Sequence, residues 1–562
     1  MISDILKKAV DSALVDLGVK DRHKIAYTIE HPDNLSHGDY STNVALVCAK
    51  ELKLAPRVLA EKLLVLLEKN KPEQVEKIEI AGPGFVNFSF KRNFFTSTVA
   101  EILKEREKFG SNKIGKGKKI VVEYSSPNIA KPFTVGHLRS TIIGDAVANI
   151  LDFSGYKVIR DNHLGDWGTQ FGKQIVALKK WGSVDEMEQS KNKMAYLVDL
   201  YVKFHDEVEK DPKLEDEGRA AFAKLEKGDR ETMALYKKIV TISREYFKSI
   251  YTKLGVGAFD TEQGEYFYES YISKAKSALE QAKLLQESEG AKLVFFPDEK
   301  YPPLMIEKKD GATLYATRDL ATDLWRLDNY GKDIVIINEV GVEQTLYFQQ
   351  LFEVEAMLNW FKSGQRVHIA HGHYRFKDGK MSTRKGNVIW LEDIIDEAEK
   401  RAGEINIDTA HMVGVGAIKF NDLKRESRQD IVFDWDEMLN LKGDSGPYLQ
   451  YSTVRAKAVL AKASEMQVKA VTKIAPSQSF ELEKILYRFP EIVERAAREY
   501  EPHYLTTYLT ELAGAFNSFY GNNQIVSSAD EYSAYKIALT HAFAIVMENG
   551  LKLLGIEVPE RM

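Results

Sequence analysis

Apolar positions along the chain change period several times, and each change marks an element. VLAEKLLVLLEKN at 58–70 repeats its apolar residues at helical spacing. In IEIAGPGFVNFSF, Ile78, Ile80, Val86, Phe88 and Phe90 alternate with period two around a Gly-Pro-Gly turn. Residues 1–110 therefore predict a small α/β module. Beyond it, KIVVEY is a β-branched run, SSPNIAKPFTVGH is a turn-rich loop, and Leu138, Ile142, Val147, Ile150 and Leu151 fall near one face of a helix that starts at about Leu138. The strand YKVIRDN follows. A second set runs from a helix over TRDLATDLWRLDNY through strand DIVIINEV and helix QTLYFQQLFEVEAMLNWF to strand VHIAHGHY. These two βαβ-like halves predict a doubly wound parallel sheet over 111–440, interrupted at about 180–300 by a helical, charge-rich insertion. Over 441–562 the pattern is almost purely helical and predicts an α-helical bundle.

Composition narrows the function. A length of 562 residues is about four times the ~150 of a typical domain, which fits several modules. Lys+Arg 78 against Asp+Glu 83 leaves a formal net charge of −5, which excludes a polyphosphate binder held by bulk charge but leaves a selective RNA binder. Cys48 is the only cysteine, so neither an intrachain disulfide nor a thiolate cluster can form, which fits a reducing cytosol. Asp4 and Asp11 interrupt any signal-peptide core, and no long uncharged apolar run occurs. The chain is expected to be neither exported nor membrane-spanning. The Gly/Lys-rich GSNKIGKGKK at 110–119 lacks the spacing of a phosphate-binding loop and reads as a solvated linker.

Two loops carry the candidate chemistry. The first follows strand KIVVEY and holds Asn128, Lys131, Thr134, Gly136 and His137. A helix N-terminus beyond the carboxyl end of such a strand favours phosphate. There Gly136 allows close backbone approach, and Lys131 and His137 can neutralise charge growing on a phosphoryl group. The second loop, FKDGKMSTRKGN at 376–387, clusters Lys380, Arg384 and Lys385 between Gly379 and Gly386, a cationic loop suited to clamping a triphosphate.

Together these loops resemble those of the class I aminoacyl-tRNA synthetases, with TVGH in place of the family's HIGH motif and KMSTR in place of its KMSKS motif. The strings EYSSPNIAKPFTVGHLRSTIIGDA, GYKVIRDNHLGDWGTQFG, YATRDLA, GPYLQYSTVRA and LLGIEVPERM are similar to those of the arginyl-tRNA synthetases, nearly end to end. The resemblance implies a Rossmann-type catalytic domain over 111–440, an N-terminal α/β domain over 1–110 that contacts the tRNA elbow, and an anticodon-binding bundle over 441–562. It implies ATP-dependent attachment of L-arginine to tRNA(Arg) through arginyl-adenylate, releasing AMP and pyrophosphate. Mg²⁺ is held mainly through ATP, with no protein metal site. A cytoplasmic monomer is expected.

The same resemblance assigns residues. Lys131, Thr134, Gly136, His137, Lys380, Arg384 and Lys385 match catalytic positions; Gly136, His137, His371, His373, Lys380, Met381 and Ser382 match ATP contacts. Glu123 and Asn128 match positions that hold the amino and carboxylate end of arginine, and Tyr315, Asp319 and Gln344 match its side-chain readers. Chemistry agrees, because a guanidinium is always charged and calls for a carboxylate beside an aromatic or amide group. Tyr315 and Asp319, four apart on a helix, face one side; Arg318 lies about 100° around and reads as structural. Two departures stand out: Thr134 replaces the usual His, with Lys131 a candidate to compensate, and Tyr347 occupies a position where His is common. A synthetase for another amino acid would need zinc ligands or a basic pocket, and neither is visible. An inert tRNA-binding paralogue is motivated by Thr134 alone.

His368, His371 and His373 form an H-x-x-H-x-H run assigned to one strand. His368 should point away from the other two, which argues against a metal and for ATP contact by His371 and His373. The Gly-Val-Gly-Ala runs at 255–258 and 414–417 read as core packing.

Overall fold

The computed structural model describes all residues except 20–24, 33, 310, 312 and 377–388. The first 90 residues pack helices Ile2–Asp16 and Pro56–Lys69 on a four-stranded antiparallel sheet. Its central pairing places Ile78 opposite Phe88 and Ile80 opposite Val86, as the alternation requires. Leu6, Val10, Leu59, Leu63, Val86 and Phe88 form a core here that Tyr487 of the C-terminal bundle joins. The Tyr40 hydroxyl donates to Glu491 at 2.5 Å, tying the two parts further. Helix Arg92–Glu105 leads away, its Val99 and Ile102 already in the larger core shared by the rest of the chain.

That larger core is built around a four-stranded, all-parallel sheet. Its spatial order is Arg366–His371, Val335–Gly341, Lys119–Glu123, Lys157–Asp161. The chain thus leaves strand Lys119–Glu123 toward one neighbour and returns on its other side, creating a switch point between Glu123 and Gly341 where ligands of open α/β sheets bind. Helix Val135–Phe153 covers the sheet and is buried nearly all round.

Several elements differ from expectation. The helix starts at Val135, not Leu138, with Thr134 at its N-cap in extended conformation; a threonine there is a favoured cap. The insertion is helical from Val184 to Gln281 but ends in an antiparallel meander of Leu285–Ser288, Ala291–Val294 and Leu304–Glu307. The turn Glu289-Gly290 has both φ values positive, 52° and 83°, the hairpin geometry that locks strand over helix. The histidine run is split: the strand ends at His371, and Tyr374–Phe376 pairs instead with Ile431–Phe433. Gly372 makes the break possible, since its N–H donates to the Ser427 carbonyl at 3.0 Å where a side chain would collide with Gln429.

The linker is zipped along the end of helix Val135–Phe153, with Gly115 and Gly117 N–H groups donating to the Ser154 and Gly155 carbonyls. Gly414 and Gly416 lie in helix Ala410–Leu423 at close helix crossings, as core packing requires. Helices Gly446–Glu465, His503–Asn522 and Ser533–Leu553 form the bundle. Among the described residues no helix is long and apolar enough to cross a membrane.

Candidate active site

A cleft of about 770 Å³ opens at the switch point. Glu123, Asn128, Gly136, His137, Tyr315, Asp319, Gln344, His371 and His373 all line it, so both halves of the sheet contribute, as the two βαβ patterns foretell. Lys131 does not: it sits half-buried in a neighbouring hollow with Trp390 and helix Lys193–Lys210, and burial lowers its pKa. Lys380, Met381, Ser382, Arg384 and Lys385 lie outside the described residues.

The loop after the first strand is held in an uncommon backbone. Ser125, Ser126 and Ala130 have φ of 69°, 42° and 59°, and such conformations cost roughly 1–3 kcal/mol each unless their surroundings fix them. Side chains from two helices and a strand end do so. Ser125 N–H donates to Ser140 Oγ at 2.9 Å, Ser126 N–H to Asn162 Oδ1 at 3.2 Å, and Ala130 N–H to Ser243 Oγ at 3.1 Å. Asn128 is thereby presented to the cleft against Gly165, where a methyl group would come within 2.5 Å of its amide oxygen.

At the helix N-terminus, Thr134 N–H donates to His137 Nδ1 at 3.2 Å, and the Thr134 hydroxyl lies equally near that nitrogen. A bare Nδ1 puts the imidazole proton on Nε2. Burial pushes the His137 pKa down to about 4, with His371 and Lys131 adding to the shift. His137 is therefore a neutral hydrogen-bond donor and not the cation expected from sequence. Gly136 is exposed, and a methyl group there would meet only Thr134 Oγ1 at 3.5 Å; packing within the chain does not demand glycine at this point. Thr134 also pairs with Trp390, and Leu391 N–H donates to the Phe133 carbonyl at 2.9 Å. The residues that follow the second signature loop are thus joined to the end of the first, where the helix begins.

The other wall is a bed of carboxylates. Arg326, fully buried, spans Glu123 and Asp161 at 2.5 Å each and Asp323 at 2.9 Å. Arg366 takes Asp323 at 2.6 Å and Glu355 at 2.7 Å. Burial alone would raise the Glu123 pKa, but Arg326 and His163 bring it below the usual carboxylate range, so it stays anionic. Asp319 differs: burial pushes its pKa up to about 7, against the pull of His163 and a hydrogen bond from Tyr347. Among the described residues no cation bonds to it. Tyr315 on the preceding turn is 70% exposed, Gln344 stands at the rim, and Arg318 is structural, paired with Glu265 at 2.9 Å.

His371 Nδ1–H donates to the Glu339 carboxylate at 2.8 Å, which outweighs the effect of burial and raises the imidazole pKa. His373 is exposed, with its N–H on Asp430 at 2.8 Å. His368 contacts the Val340 carbonyl at 3.1 Å. Among the described residues no group of three or more His, Cys, Asp or Glu is placed to hold a metal. Sequence reasoning missed His163, which lines the cleft between Glu123 and Asp319 with Nδ1 buried and unpartnered. Its string, NHLGDWG, was visible, but a lone histidine in it carried no sign of its neighbours. The arginine network was equally invisible, because its members are scattered from 123 to 366.

Comparison with known proteins agrees along the whole chain. The profile for "tRNA synthetases class I (R), catalytic domain" matches residues 98–435, that for the "DALR anticodon binding domain" 449–562, and that for the "Arginyl tRNA synthetase N terminal domain" 4–90. An arginine–tRNA ligase of Clostridium perfringens is 43% identical, with 98% of each chain covered. One of Halothermothrix orenii is 40% identical over 100% of both. The structure of the Thermus thermophilus arginyl-tRNA synthetase superposes with a TM-score of 0.83 at 25% identity, covering 100% of each chain. With its parallel sheet, its switch-point cleft and these matches, the chain belongs to the arginyl-tRNA synthetases of class I.

Proposed function

We propose that this chain is an arginine–tRNA ligase whose specificity rests on Asp319. The single observation carrying this is a carboxylate at the base of the switch-point cleft with no cation among the described residues bonded to it, one helical turn from a carboxylate bonded by two arginines. A substrate guanidinium supplies what is missing. Tyr315 and Gln344 flank it, while anionic Glu123 and Asn128 take the amino and carboxylate end.

The arginine carboxylate, already ionised, attacks the α-phosphorus of ATP, pyrophosphate leaves, and the adenylate then passes its arginyl group to a 2′-hydroxyl of the tRNA terminal adenosine. No general base is needed in the first step, so rate comes from positioning and electrostatics. Gly136 on the first turn of the helix offers its N–H to a phosphate, while the flanking Val135 and His137 N–H groups donate to the Ile389 and Thr134 carbonyls. His137 donates from Nε2, and His371 and His373 border the same space. Thr134 stands at the helix N-cap, and its backbone N–H fixes the His137 tautomer. Lys380, Arg384 and Lys385 are assigned to the leaving phosphates on their sequence motif. Magnesium bound to the triphosphate would screen its charge.

A cytoplasmic monomer is part of this reading; the lone buried thiol Cys48 suits the reducing cytoplasm. The test is charging of tRNA(Arg) with labelled arginine. Arginylation that collapses in Asp319→Ala is expected; equal charging by that variant would overturn the assignment.

A further inference from the structure

The Asp319 carboxylate sits among groups already committed elsewhere. On its own helix, Asp323 and Arg326 bond to each other at 2.9 Å. From the first strand, Glu123 is taken by Arg326; from the last, Arg366 is taken by Asp323 and Glu355. His163, entering from the loop after strand Lys157–Asp161, acts on Asp319 through its charge, with no hydrogen bond between them among the described residues. Among the described residues, the one donor that reaches it is the hydroxyl of Tyr347, on the first turn of helix Thr345–Met357, which bonds to Oδ2. Tyr347 itself lines the cleft and packs edge-on against Phe348, with ring centroids 5.3 Å apart. The ring is braced from behind while its hydroxyl meets the carboxylate.

Resting on the reading of Asp319 as the guanidinium partner, we infer that Tyr347 is a positioning residue for arginine specificity: it holds one oxygen of Asp319 and leaves the other free for the substrate. A forked guanidinium needs its carboxylate in a defined plane. An Asp319 side chain without an anchor would rotate and lose that alignment. The hydroxyl also favours the ionised form of Asp319, opposing burial, Glu123 and Asp323, which all favour the protonated form. Tyr347 thus sets both the direction and the charge of the carboxylate.

The test compares arginine KM and kcat in tRNA charging for wild type, Tyr347→Phe, Tyr347→His and Asp319→Asn, each across neutral pH. Tyr347→Phe keeps the ring and loses the donor, so KM should rise about tenfold, as for loss of a hydrogen bond to a charged group, with kcat nearly unchanged. The pH at which KM levels off should also move upward. Tyr347→His, whose N–H can donate, should recover most of the loss. A merely structural tyrosine would alter kcat or melting temperature without moving that pH. Wild-type KM and pH profile in a folded Tyr347→Phe, or no recovery by Tyr347→His, would overturn the proposal. Should Asp319→Asn itself keep wild-type KM, the pocket reading fails and this inference falls with it; normal behaviour of Tyr347→Phe beside a defective Asp319→Asn removes only the role of Tyr347.

Discussion

Asp319 and Asp323 lie one turn apart on helix Tyr315–Tyr330, yet they live in opposite electrostatic worlds. Asp323 accepts from Arg326 and Arg366, which overcome the effect of burial and lower its pKa. Asp319 has a tyrosine hydroxyl and an imidazole that does not bond to it, and burial wins. The difference between them is a pair of guanidinium groups. A buried carboxylate is tolerated when paired and costly when alone, which supports the proposal that a substrate guanidinium is the cation Asp319 takes.

The sharpest break in that comparison comes from Arg326→Met. It leaves Glu123, Asp161 and Asp323 facing each other with one arginine fewer, and should cost about 3–5 kcal/mol in urea or thermal unfolding. Neutralising the two aspartates in turn should give opposite signs. Asp323→Asn should destabilise by about 3 kcal/mol, because it strands Arg366 and Arg326. Asp319→Asn should stabilise the ligand-free enzyme by roughly 1–2 kcal/mol at mildly alkaline pH. The sign follows from linkage: a carboxyl whose folded pKa is raised from 3.8 to about 7 binds more protons folded than unfolded between those values, so stability falls as pH rises through that window. For Asp323, whose folded pKa is lowered, stability is instead lost as pH falls below the unfolded value. Differential scanning calorimetry of both variants across pH checks the pair. The smallest effect is expected at the phosphate end of the cleft, where Thr134→Ala removes an N-cap and a partner of His137 for about 1 kcal/mol of stability.

Much of this was legible in the sequence because its carriers are local. Alternating Ile78 and Val86 fix a hairpin, and strand KIVVEY followed by TVGH fixes a strand, a loop and a helix. Tyr315 and Asp319 share a face through helical spacing alone. What was illegible depends on groups far apart in the chain. The pairing of Glu123 with Arg326 spans 203 positions, and nothing in HIAHGHY shows that Gly372 will meet the backbone at Gln429 and end the strand. Tyr347 could be seen as a departure but given no role, since its partner is 28 positions away. Lys131 looked like a cleft cation by proximity in sequence, but the strained loop turns it into the neighbouring hollow.

The central claim is that Asp319 must be ionised to take the substrate guanidinium. It is tested most directly by the arginine KM of wild type and Asp319→Asn in tRNA charging, from about pH 6 to about pH 9. For wild type, KM should rise about tenfold per unit below a pH near 7 and level off above it, following a carboxyl at about 7. For Asp319→Asn it should be more than about 100-fold higher, with that rise abolished. The same KM and the same pH profile in both proteins would contradict the account.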